Sequence, residues 1–77
     1  MFHLYPNPVS NTLFISSEIN EFESSEIEII NTLGQSVLKL TYQKEIDVSK
    51  ILNGCYFLNI TTKDKKTIHS KFIKEWK

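Results

Sequence analysis

The sequence predicts an all-β protein, built as a small antiparallel β-sandwich of about six or seven short strands. Three observations favour this class. The stretch Leu52–Ile60 is apolar and alternates with the period of a strand, Glu26–Asn31 and Ser36–Tyr42 form a hairpin pattern, and no segment sustains the spacing of a helix. A closed β-barrel is the alternative architecture.

The stretch Leu52–Ile60 predicts a central strand, because apolar residues occupy both of its faces. Gly54 can adopt the positive φ that lets the chain turn sharply into this strand. We therefore expect burial on both faces. One face carries Tyr56, Leu58 and Ile60, and the other carries Cys55, Phe57 and Asn59.

The N-terminal part of the chain predicts a stiff extended segment followed by a strand. Two prolines in Leu4–Val9 fix φ and push their preceding residues into extended conformations, which excludes a helix. Thr12–Ser16 follows as a strand with Leu13 and Ile15 facing inward. Ser17–Ser25 is polar and acidic, and it predicts a loop.

The clearest local prediction is a β-hairpin over residues 26–42. Ile27 and Ile29 alternate with glutamates, as expected for a strand with one face in water. Gly34 lies in the short connection, where a tight turn favours glycine. Ser36–Tyr42 then returns as the second strand.

The middle of the chain predicts a brief strand and a corner. Glu45–Val48 alternates with Ile46 and Val48 inward, and Ser49–Asn53 predicts either a single helical turn or a corner. The side chain of Asp47 or of Ser49 is expected to cap this turn by accepting a backbone N–H bond.

The last predicted strand is Thr67–Lys74. A polar turn at Lys63–Lys66 precedes it, and Ile68 and Phe72 share one of its faces.

Composition limits the classes of function. Seventy-seven residues predict one domain, and nine lysines balance nine acidic residues with no arginine. This balance argues against a protein that binds nucleic acid or an anionic membrane through bulk charge. No apolar run is long enough to span a bilayer.

The sequence contains no constellation of residues that predicts catalysis. Cys55 is the single cysteine and is expected to be a buried, inert thiol, and His3 and His69 have no partners at metal-ligand spacing. Glu26 and Glu28 share a strand face but imply no apolar pocket. We therefore expect no enzyme activity, no metal, no cofactor and no small-molecule substrate.

An ordered set of landmarks resembles the type A C-terminal sorting domain of the bacterial type IX, or Por, secretion system. The resemblance covers about positions 4 to 75. Its landmarks, in order, are Tyr5-Pro6-Asn7-Pro8-Val9, Leu13-Phe14-Ile15, Ile27-Glu28-Ile29, Gly34-Gln35-Ser36-Val37, Ile46-Asp47-Val48-Ser49, Leu52-Asn53-Gly54-Cys55-Tyr56-Phe57 and Lys71-Phe72-Ile73-Lys74.

This resemblance implies an immunoglobulin-like β-sandwich, with residues 1–77 forming one C-terminal sorting domain excised from a larger exported protein of the Bacteroidota. Such a domain is a non-enzymatic address. The implied partners are an N-terminally attached cargo protein, the type IX translocon and a sortase-like surface protease. The implied route runs through the periplasm to the cell surface or the extracellular space.

The resemblance also assigns expected roles to residues. The terminal motif is expected to be recognised by the translocon; it consists of Lys71, Phe72, Ile73 and Lys74. Lys71 and Lys74 are expected either to supply charge for recognition at an exposed strand edge or only to protect that edge from aggregation. The remaining motif positions are expected to be structural, and they are Tyr5, Pro6, Asn7, Pro8, Gly34, Gly54 and Tyr56.

A second function class stays open at this point, namely a fibronectin type III-like or carbohydrate-binding accessory module of a surface protein. An exposed aromatic row would favour it, because sugars stack on such faces. The residues to inspect are Phe14, Tyr42, Phe57 and Trp76. Pairing of copies through strand edges is a further possibility.

Overall fold

The computed structural model describes residues 2–17 and 25–75, and these form seven strands and no helix. The prediction of an all-β fold is confirmed. The strands are β1 (Phe2–Tyr5), β2 (Thr12–Ser17), β3 (Glu26–Asn31), β4 (Ser36–Thr41), β5 (Glu45–Asp47), β6 (Gly54–Thr61) and β7 (Thr67–Lys74).

The strands form two antiparallel sheets. The smaller sheet has the order β1-β2-β5, and the larger has the order β4-β3-β6-β7. In the larger sheet β6 is central, since β3 pairs with one of its sides and β7 with the other. β7 is therefore an edge strand, and it is the last of the strands that the structure describes.

One hydrophobic core joins the two sheets. Alternate residues of each strand enter it, as the period of two requires. The predicted inward faces of β2, β3 and β5 are confirmed. The buried core residues are Val9, Leu13, Ile15, Ile27, Ile29, Ile46, Val48, Tyr56, Leu58, Ile60 and Phe72.

Two expectations about the strands need correction. β6 is buried on one face only: Tyr56 enters the core, whereas Phe57 is exposed and Cys55 is half-buried. The sandwich has two layers, so the outer face of even its central strand meets solvent. β1 was not predicted as a strand, and residues 18–24 of the predicted loop lie outside the described part of the chain.

The turn between β3 and β4 is organised by Asn31. Its side-chain oxygen accepts the backbone N–H groups of Leu33 and Gln35 at 2.9 and 3.0 Å. The backbone N–H of Gly34 donates to the Asn31 carbonyl, and Gly34 has a φ of 83°. This is a three-residue hairpin loop whose third position requires positive φ, which glycine adopts without strain.

The turn between β6 and β7 has the same hydrogen-bond pattern. The Thr62 N–H donates to the Lys66 carbonyl, the Lys65 N–H donates to the Thr62 carbonyl, and the Thr62 hydroxyl accepts the Lys66 N–H at 3.2 Å. Lys65 occupies the position that corresponds to glycine in the other turn, with a φ of 64°. The two hairpins lie at opposite ends of the sheet, because β3 and β6 are antiparallel.

The connection from β5 to β6 contains a turn and no helix, so of the two alternatives predicted for Ser49–Asn53 the corner is the one that forms. The expected capping interaction is present. The Asp47 carboxylate accepts the backbone N–H and the hydroxyl of Ser49 at 2.9 and 2.6 Å. These two bonds, the hydroxyl bond first, lower the pKa of Asp47.

Candidate recognition site

The terminal strand β7 separates its motif residues by face. Lys71 and Ile73 point away from the core and are exposed, whereas Phe72 and Lys74 point inward and are buried. The cause is strand geometry, in which successive side chains lie on opposite faces. Of the four predicted recognition residues, only Lys71 and Ile73 present their side chains to a partner.

Lys74 does not supply an exposed charge, and that expectation is wrong. Its residue surface is only 1% exposed. Phe72 fixes the inward face of β7, so Lys74, two residues later, shares that face. Lysine can bury its aliphatic stem while its ammonium approaches water, and Lys74 borders an open groove of about 520 Å³ alongside Lys50 and Leu52.

The N-terminal proline segment, Tyr5–Val9, fastens the end of β7. The Asn7 side-chain oxygen accepts the backbone N–H of Ile73 at 2.9 Å, and the Val9 N–H donates to the Ile73 carbonyl at 2.8 Å. The Glu75 N–H then donates to the Val9 carbonyl. The first and last motifs of the chain thus form one structural unit.

The earlier half of β7 keeps an open edge. Both backbone groups of Ile73 point away from β6, because they bond to Asn7 and Val9. Backbone groups alternate sides along an antiparallel strand, so those of His69 and Lys71 point the same way. Among the described residues this edge has no strand beside it, and an edge of this kind can pair with a strand of another protein.

Gly54 and Tyr56 shape the start of β6. Gly54 has a φ of 151°, a conformation that disfavours other residues. The Tyr56 ring stacks on Phe72 with centroids 5.6 Å apart, and its hydroxyl donates to the Leu52 carbonyl. Tyr56 therefore ties the loop before β6 and the strand β7 to the core. This geometry supports the structural role expected of both residues.

The other motif residues lie on the surface. Tyr5 is exposed and stacks on Phe14, with ring centroids 5.4 Å apart, beside a groove of about 370 Å³ on the smaller sheet. Pro6 and Pro8 are exposed and follow cis peptide bonds. Tyr5 therefore contributes a surface stack and no core contact of the kind that Tyr56 makes.

The structure does not favour a carbohydrate-binding module. Phe14 and Phe57 belong to different sheets, Tyr42 packs against the core, and Trp76 lies outside the described residues. These aromatic side chains form no exposed row in the part of the chain that is described.

Potential catalytic groups are dispersed. Glu26 and Glu28 lie on β3, and His69 contacts Asn59 across the β6–β7 pair, with 2.6 Å between the His69 Nδ1 and the Asn59 side-chain oxygen. Within residues 2–17 and 25–75, no group of three or more His, Cys, Asp or Glu side chains is arranged to hold a metal ion. The same residues contain no helix long and apolar enough to cross a membrane.

The chain matches a known protein family. The sequence model of the family described as "Secretion system C-terminal sorting domain" matches residues 3–75, essentially the whole chain. No curated protein matches the chain significantly. The matched range includes both the N-terminal proline segment and β7.

Proposed function

Because the chain belongs to the family of type IX secretion-system C-terminal sorting domains, we propose that it directs an attached cargo protein through the outer-membrane translocon to the cell surface. The family match over residues 3–75 is the observation that carries this proposal. A sorting signal implies association with a type IX system and export to the surface or the extracellular space. The family is one of sorting signals and not of enzymes.

The finer steps belong to the proposal. The cargo is attached to the N-terminus of the domain and reaches the periplasm first. The translocon then reads the folded domain, and a sortase-like surface protease removes it. Residues 1–77 act as a single sorting unit in this scheme.

The edge strand β7 supplies a physical mechanism for recognition. A translocon strand pairs with the open backbone groups of His69 and Lys71, and main-chain hydrogen bonds provide affinity. The outward side chains of Lys71 and Ile73 provide specificity, since alternate side chains of an added strand meet the same face. Phe72 and Lys74 support the strand from the core side and make no direct contact with the partner.

Deleting residues 71–77 would be a poor test, because it removes the fully buried Phe72 together with the motif. Loss of such an aromatic core residue costs about 3–5 kcal/mol, enough to unfold a small domain. Point variants at exposed positions separate recognition from folding.

The test fuses the chain to a periplasm-directed reporter in a bacterium with a type IX system. We expect the wild-type fusion to reach the surface, and the double variant Lys71→Gln/Ile73→Gln to accumulate in the periplasm. Lys63→Gln, an exposed lysine in the β6–β7 turn, is the matched control and should be exported normally. Circular dichroism melting of the purified variants checks that all remain folded.

Two results would count against the proposal. If the wild-type fusion stays in the periplasm, the chain does not act as a sorting signal. If the wild type and the folded double variant are exported equally, the outward face of β7 is not what the translocon reads.

A further inference from the structure

Exposed apolar side chains concentrate at one end of the larger sheet. Six large hydrophobic side chains are exposed in the described part of the chain, and five of them lie where β3 ends and β6 begins. We call these five residues the apolar end; they are Leu33, Val37, Leu52, Phe57 and Ile73. The sixth, Tyr5, stacks on Phe14 of the smaller sheet.

Leu33 and Leu52 are the most exposed members, at 81% and 83%. Leu33 lies in the β3–β4 turn, whose hydrogen bonds all come from the backbone and from Asn31 and Gln35. Leu52 contributes its carbonyl to the Tyr56 bond, not its side chain. Neither leucine side chain takes part in these hydrogen bonds, and both are exposed to water. The fold therefore gives no reason for an apolar residue at either position.

The apolar end continues onto the outer face of the sheet. Phe57 lies in register with Ile30 on one side and Lys71 on the other, and Cys55 lies in register with Ile73. Val37 is the residue at the bulge of β4, beside Ile30. Along these registers, outer-face positions run across all four strands, and β7 is the border of the sheet.

At this border Lys71 has no carboxylate among its neighbours in the described part of the sheet. On the outer face its neighbours are His69 and Ile73 along β7, and Phe57, with Cys55 and Asn59 diagonally placed, on β6. None of these is a carboxylate. A positive charge beside an apolar surface is complementary to a partner surface that is apolar and carries a carboxylate.

We propose that the apolar end is the surface on which the translocon component docks, and that this component presents an apolar patch with a carboxylate opposite Lys71. This inference rests on the proposed sorting function. It replaces a linear signal at residues 71–74 with a composite surface, in which Leu33 and Phe57 act together with Ile73. The open edge of β7 is continuous with this surface, so strand pairing and apolar docking occur side by side.

The decisive variants lie outside the terminal motif. In the reporter assay we expect Leu33→Gln and Phe57→Thr each to reduce surface delivery about tenfold, as for anchor residues of an interface. Two matched controls should stay within roughly twofold of wild type, because surface contacts outside such anchors are near-neutral. Phe14→Thr removes an outward aromatic residue from the smaller sheet, and Asp64→Gln changes the opposite hairpin. Leu33→Gln cannot disturb the core, so its result is decisive even where Phe57→Thr lowers stability.

The two proposals fail differently. If the wild-type fusion is not exported, the sorting function fails. If the wild type is exported and both Leu33→Gln and Phe57→Thr match the controls, the composite surface is overturned while the sorting function stands.

Further measurements test the occupant. We expect Lys71→Glu to reduce delivery several-fold more than Lys71→Gln, since it opposes a carboxylate; equal effects would overturn the proposed partner chemistry.

The purified domain should elute as a monomer and should not sediment with phosphatidylglycerol vesicles. A dimer that Leu33→Gln dissociates, or vesicle binding that it abolishes, would assign the surface to a second copy or to lipid and overturn the proposal.

Discussion

The two β-hairpin turns of the larger sheet use the same backbone arrangement and carry opposite chemistry. The β3–β4 turn presents Thr32, Leu33 and Gly34, and the β6–β7 turn presents Lys63, Asp64 and Lys65. In each, a side-chain oxygen at the start of the turn accepts a backbone N–H four residues later. The hairpin geometry therefore does not require a leucine at the tip, which is why we assign Leu33 to binding.

The turns also differ at their third position. Gly34 and Lys65 both have positive φ, but only glycine adopts it without steric cost. The turn at the apolar end is thus built for stability, whereas the polar turn tolerates strain. Placing lysine at position 34 and glycine at position 65 tests whether the two turns have the same backbone requirement at their third position, as their shared hydrogen bonds indicate.

Gly34→Lys should produce the largest change in stability. Nothing lies within 4 Å of a Cβ placed at this position, so the cost comes from φ alone, about 1–2 kcal/mol. Urea unfolding of the variant measures it. Thr32→Lys in the same turn, where φ is not positive, serves as the control and should be near-neutral. Equal stability of the two variants would show that the turn relaxes to another conformation.

Lys65→Gly is the reciprocal change and should stabilise the domain. Removing the strain recovers about 1–2 kcal/mol, and the added freedom of glycine in the unfolded chain offsets roughly 0.5–1 kcal/mol of this. The expected net gain is about 0.5 kcal/mol, measurable by the same unfolding experiment. Lys63→Gly relieves no backbone strain, so it should lower stability. If it raised stability as well, the gain from Lys65→Gly would not come from relief of strain at φ.

Strand alternation made much of this fold predictable. Ile27 and Ile29 on β3, and Leu58 on β6, repeat with period two, and one buried face is the only arrangement that satisfies them. Gly34 in the hairpin turn was predictable because the turn requires a residue with positive φ, which glycine adopts most readily. What alternation could not reveal is how many layers cover a sheet, so Phe57 was expected in the core and lies in solvent.

The candidate site was less predictable because its contacts are distant in sequence. Asn7 and Ile73 are 66 residues apart, and no local pattern indicates that one bonds to the other. The burial of Lys74, in contrast, could be predicted from the sequence. Phe72 faces inward, so Lys74, two residues later on the same strand, must face inward as well. The expectation that Lys74 is exposed followed from its charge and not from its position on the strand. The exposed Leu33 could not be recognised from sequence, since a single apolar residue in a turn is ordinary.

A third turn is organised by a side-chain oxygen, and in this turn the oxygen belongs to a carboxylate. Asp47 holds the turn before β6 through Ser49, and the resulting bonds lower its pKa below the ordinary value of about 3.9. The contribution of Asp47 is therefore complete above the ordinary pKa and is lost as the pH falls through the lower, folded-state pKa. Asn31 and Thr62 do not titrate, so their turns have no such dependence.

Among these variants, Asp47→Asn should change stability least, and its effect should depend on pH. We expect the variant to melt at a slightly lower temperature than the wild type at pH 7, and the difference to shrink as the pH falls through the lowered folded-state pKa of Asp47, because the wild-type carboxyl then becomes protonated as well. Comparing the two proteins at each pH removes the titration of the other carboxylates. Asn31→Ala, compared with wild type in the same way, should show a difference that does not change with pH. A pH-independent difference for Asp47→Asn would mean that the charge of Asp47 does not strengthen its bonds to Ser49.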